Sequence, residues 1–130
     1  MKKSLIEERS FQFAIRIVEV YAELIDKRKE YTLSKQMLRS GTAIGALIKE
    51  AQHGESKADF IHKMSIALKE GYETQYWLEL LQATNFIQGE NANSLIRESK
   101  ELVWIMVSIV RTSKQSLVKE NLNKNLKNQR

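Results

Sequence analysis

The chain has no proline and no cysteine, and only five glycines in 130 residues. A proline inside a helix costs about 3 kcal/mol, so its complete absence suits a chain that is helical almost throughout. Without cysteine there are no disulfides, no thiolate metal sites and no cysteine nucleophile. No run of about 18 apolar residues occurs, so no segment is expected to span a membrane. The glycines form none of the patterns that cradle phosphate, which removes the common nucleotide-binding loops. Met1-Lys2-Lys3-Ser4 is followed closely by Glu7, Glu8 and Arg9. That leaves no room for the apolar stretch of a signal peptide, and a cytoplasmic location is expected.

What is present fits one soluble globular domain. Hydrophobic residues make up 42% and charged residues 28%, and the length is enough to bury a core. The net charge of +5 is unevenly placed. From residue 111 onward, Arg111, Lys114, Lys119, Lys124, Lys127 and Arg130 stand against Glu120 alone, and the rest of the chain is balanced. Such an end suits a polyanion. A solvated tail that aids solubility has the same composition, and this one holds no aromatic residue for base stacking.

Apolar periodicity predicts four helices. From about Ser4 to Lys29, one row holds Ile6, Phe13, Ile17, Val20 and Leu24, and a second holds Phe11, Ala14, Val18, Tyr21 and Ile25. That is an amphipathic helix with a wide stripe. The second helix, about Thr32 to His53, lines Leu33, Met37, Ile44, Ile48 and Ala51 on one face. Gly41 and Gly45 sit within it, which predicts close approach by a neighbouring helix, since each glycine costs about 1 kcal/mol there. Gly54 is expected to end it. Ser56-x-x-Asp59 then reads as the start of a third helix, about Lys57 to Thr84. Phe60, Met64, Ala67, Gly71, Thr74, Leu78 and Leu81 form its seam. A turn is expected from Asn85 to Asn93, then a fourth helix to about Lys119.

The expected fold is therefore all-α, an antiparallel up-down-up-down four-helix bundle over residues 1–117, with a basic, frayed tail over 118–130. Leu102 to Val110 contains eight apolar residues in nine. A helix that is apolar all round needs a second partner. Val103, Trp104, Val107 and Val110 are accordingly expected to face another copy in a homo-oligomer.

One constellation suggests catalysis. Glu50-x-x-His53 and Asp59-x-x-His62 resemble the paired motifs of four-helix di-iron proteins, with Glu23 and Glu98 or Glu101 as further ligands. The pairs flank a turn rather than mid-bundle, and Asp59 has a capping role, so neither metal nor enzyme activity is expected. Arg39, Glu50, Lys69, Glu70 and Glu73 lie near the apolar faces of the second and third helices. They read as structural or subunit-interface ion pairs, Lys69 and Glu73 being spaced one turn apart, with a ligand or RNA contact as the alternative. Tyr76 and Trp77 read as core or interface, with base stacking as the alternative.

Along the chain stand Gln36, Arg39, Ser40, Thr42 and Ile44, then Glu50 and Ala51, then Ser56, Asp59 and Phe60. Ile66, Ala67, Lys69, Glu70, Glu73, Tyr76, Trp77 and Leu78 complete the set. As a set they resemble the 23S ribosomal-RNA intervening-sequence protein family, from about Phe11 to Val110. Leu47 stands where that family usually has Asn, and Gly71 where it usually has Ala or Ser. The resemblance implies a bundle assembled into a ring, typically a pentamer, and does not imply an enzyme. The family is in turn similar to the accessory protein of diversity-generating retroelements, a basic pentamer that binds a reverse transcriptase and nucleic acid. A non-catalytic binding or scaffold protein without cofactors follows as the expectation. Its partner would be a nucleic acid or a nucleic-acid-processing protein; a protein adaptor without nucleic-acid affinity is the alternative.

Overall fold

The computed structural model describes residues 4–129, and among them all regular structure is α-helical. The helices are α1 Leu5–Arg28, α2 Leu33–Gln52, α3 Lys57–Ala83 and α4 Gly89–Asn128. The joints are short, so successive helices lie antiparallel. Across α2 and α3, Glu50 meets Lys63 while Arg39 meets Glu70. α4 returns beside α1, where Arg9 reaches Glu98 and Arg16 reaches Asn91.

Local chemistry sets the helix ends. The Ser4 hydroxyl accepts the Glu7 N–H at 3.3 Å, and Ser56 accepts the Asp59 N–H at 3.0 Å, as Ser-x-x-Asp predicts. The start of α2 is capped differently, because Thr32 makes no side-chain cap. Instead the Glu30 carboxylate accepts backbone N–H groups from Thr32, Leu33 and Ser34 at 3.1, 2.9 and 2.6 Å. Burial pushes the Glu30 pKa up, but those N–H groups outweigh it and hold the carboxyl below its ordinary value. α1 stops where Lys29 turns left-handed, at φ 54°. Asn85 and Gly89, also at positive φ, carry the chain from α3 into α4. Arg28 fastens that turn, donating to the carbonyls of Asn85 and Phe86 at 2.9 and 3.1 Å.

The predicted inner faces form one core. Phe13, Ile17 and Leu24 meet Met37, Ile44, Ile48, Met64, Leu78, Leu81, Leu95, Leu102 and Met106, all fully buried. Each such side chain contributes about 1.5–3 kcal/mol of burial. The buried hydroxyls of Ser40, Thr74 and Ser99 bond back to carbonyls of their own helices, so none is stranded. Gly71 lets α4 close on α3: a Cβ there would stand 2.9 Å from Met106 Cε and 3.0 Å from Val103 Cγ2.

Three expectations are corrected. Val103 and Val110 do not face outward; they are 7% and 8% exposed in their own core, and Val107 is half-buried. The space left by Gly71 admits Val103 to the inside. Only Trp104 of that group projects into solvent, at 74% exposure. The second apolar row of α1 is likewise divided: Phe11 and Val18 are on the outside, with Ile15 between them, while Ala14, Tyr21 and Ile25 are half-buried. Gly54 stands just past the end of α2, as expected, beyond the cap His53; its N–H donates to the Ala51 carbonyl at 3.1 Å, and a Cβ on Gly54 would meet Asp59 Oδ2 at 2.8 Å. Lastly, α4 does not fray after Leu117: it runs unbroken for 40 residues, about 60 Å. Lys57 holds this lower part of α4 to α3, donating to Ser116 Oγ at 2.8 Å and Glu120 at 2.5 Å.

Candidate functional site

On the α2–α3 face, one arginine answers two acids. Glu70 and Glu73 lie one turn apart on α3, and Arg39 crosses from α2 to both. Arg39 Nη1 is 3.2 Å from Glu70 Oε2, and Nη2 donates to Glu73. The Glu70 side chain is only 19% exposed, and Arg39 is the cation it pairs with across the helices. Desolvation lowers the Arg39 pKa, but the bonds and charges of Glu70 and Glu73 raise it above the ordinary arginine value. The expected Lys69–Glu73 pair does not form. Arg39 takes Glu73, and Lys69 stays exposed with no ion pair among the described residues.

Tyr76 and Trp77 lie one turn beyond, edge to face at 5.1 Å. Tyr76 is exposed, while Trp77 packs against the core, its Nε1 enclosed with no acceptor among the described residues. Leu47 also packs against the core. An asparagine there would carry a polar amide into the same contact.

The residues considered for metal binding are separated. Glu50 is exposed and 3.7 Å from Lys63; His53 and His62 are exposed. Glu98 and Glu101 are both engaged by Arg9, which pins α1 to α4. The bond to Glu101 leads in holding the Arg9 pKa up, against desolvation. Among the described residues no three His, Asp or Glu side chains are grouped to hold a metal ion.

The basic residues occupy a helix rather than a loose tail. Arg111, Lys114, Lys119, Lys124 and Lys127 are all exposed on α4; Arg130 lies outside the described residues. Helical order gives them direction. Lys124 and Lys127 lie on the opposite side of α4 from Leu122, because each residue advances the helix by 100°. Leu122 stands 18 residues, or five full turns, beyond Trp104, so the two share one outward face. That period lies in the sequence, where Asn121, Asn123 and Asn125 interrupt the apolar pattern around it.

The chain is thus an all-α protein of four helices, none of them, among the described residues, long and apolar enough to cross a membrane. Residues 2–108 match the 23S rRNA-intervening sequence protein family, and the chain belongs to that family. It is similar to a crystal structure from Bacteroides thetaiotaomicron VPI-5482, described as a protein of unknown function from the S23 ribosomal protein family. The two are 48% identical with a TM-score of 0.80, over 82% of this chain and 98% of the other. No curated protein matches. The part of α4 beyond residue 108 lies outside the family match.

Proposed function

We propose that this protein is a non-catalytic homo-oligomeric scaffold whose basic α4 meets a nucleic acid or a nucleic-acid-processing protein. One observation carries this reading: a single unbroken helix presents an exposed Trp104 and a run of exposed cations, Arg111, Lys114, Lys119, Lys124 and Lys127. Copies associate through outward apolar faces and close into a ring. Five is the number implied by the resemblance to the wider family and, through it, to retroelement accessory proteins. A ring repeats the cationic helix and so multiplies its field. The protein works in the cytoplasm in this reading.

The test is a gel shift with single-stranded RNA of mixed sequence at low and moderate salt. Binding that weakens steeply with salt is expected, because phosphate contacts release counterions. Replacing Arg111, Lys124 and Lys127 together by Gln lowers affinity at least about tenfold and flattens the salt slope. An assembled protein with no RNA affinity even at low salt would leave a protein adaptor instead. Stoichiometric metal in protein purified without added metal would replace both by the metal-dependent reading at Glu50, His53, Asp59 and His62.

A further inference from the structure

We propose that the last turns of α4 form an arm that docks on the outward face of α1 in a second copy of the chain. This rests on the homo-oligomeric part of the reading above and supplies its contact.

The arm is an addition to the family's shared portion, since the match ends at residue 108 and α4 continues to Asn128. Val118, Leu122 and Leu126 recur every fourth residue along it, and they are 58%, 57% and 63% exposed. Three turns of helix thus hold an apolar stripe in water.

The arm cannot reach its own α1. Arg9 lies level with Glu98 and Glu101, only one turn inside the start of α1. From Glu98 to Val118 is about 30 Å of helix, so α4 has passed the end of its own α1 well before the stripe begins.

α1 offers a matching surface. Phe11, Ile15, Val18 and Ala22 follow steps of four, three and four, the spacing of a helix-pairing seam, and all are exposed. Beside the seam lies a shallow groove of about 320 Å³ with Ala14, Gly45 and Ala46 in its lining, small residues that admit a leucine closely.

Charge selects the pairing. Glu8, Glu19 and Asp26 fall along one flank of the α1 seam, exposed and without an ion pair among the described residues. Lys119 lies beside the arm's stripe, and Lys114 heads it one turn before Val118. Arm against α1 sets lysine beside acid, as flanking charges do in paired helices. Arm against arm would set lysine beside lysine, and α1 against α1 acid beside acid. The contact is therefore between unlike surfaces, the kind that generates rings or filaments.

The absence of cysteine gives a clean test. Val18→Cys and Leu122→Cys are made in separate full-length proteins and mixed under mild oxidation. The expected product is a disulfide-linked pair containing one of each, with far less product from either variant alone. Efficient linkage of Leu122→Cys to itself, or no linkage in the mixture while light scattering shows assembly, would overturn the arm. In parallel, Leu122→Glu with Leu126→Glu should raise the concentration for half-assembly by about tenfold or more, with helical content unchanged. An unchanged midpoint sinks the arm and leaves homo-oligomerisation standing. A wild-type protein that stays at 15.1 kDa at every concentration sinks both.

Discussion

Ile17 fills the space that a side chain on Gly41 would need. A Cβ on Gly41 would lie 2.9 Å from both Cγ1 and Cγ2 of Ile17, which is fully buried and branched at its own Cβ. Neither atom can swing away freely. Gly41→Ala should therefore destabilise the fold by about 1–3 kcal/mol, more than offsetting the helical preference of alanine. Gly45→Ala meets Ser10 only at 3.4 Å and should be neutral or stabilising by up to about 1 kcal/mol. Urea denaturation of the two variants checks the contrast, and equal effects would refute it.

Glu30 replaces the usual capping hydroxyl of α2, and its effect depends on charge. Its folded pKa is lowered, so its contribution is complete above the unfolded value near 4.5 and is lost as pH falls through the folded one. Glu30→Gln should cost about 1 kcal/mol at pH 7. The gap between the two proteins should narrow as pH drops below about 4. Thermal melts across that range read it directly.

Arg39 serves Glu70 more than Glu73, because Glu70 is the less exposed acid. Arg39→Met should cost about 1–3 kcal/mol by leaving the Glu70 carboxylate without its cation. The double variant Arg39→Met with Glu70→Leu should recover most of that loss. A double variant no more stable than the single one would show that the cost comes from elsewhere.

Lys57 is the latch between α3 and the arm. Its ion pair is largely exposed, so Lys57→Ala should change global stability by less than about 1 kcal/mol. Amide exchange over residues 117–128 should nevertheless speed up severalfold, because that stretch opens locally. Unchanged exchange there would mean that the arm holds its helix without α3.

The core was legible because burial on a helix leaves a period. Met64, Ala67, Gly71, Thr74, Leu78 and Leu81 are buried as their spacing implies. Orientation was harder to read where a helix is apolar on every side. In Leu102–Val110 the pattern could not say which flank turns inward; the gap at Gly71 decides, and it draws in Val103. Ion pairs were half legible. The acids and arginines were visible, but Arg39 reaches Glu70 and Glu73 across 31 and 34 residues, a separation that local spacing cannot reveal. The cap of α2 was hidden because glutamate serves there in place of a short hydroxyl, and it does so only once Lys29 has reversed the chain.

The topology of the bundle has a kinetic consequence. Among the described residues α1 and α4 are the only pair joined from far along the chain; otherwise each helix meets the one before it. Contacts of that kind close small loops and cross low barriers, so refolding should fall in the microsecond-to-millisecond range. With no proline to isomerise and no disulfide to form, any slower phase would have to come from meeting another copy, and its rate would rise with concentration.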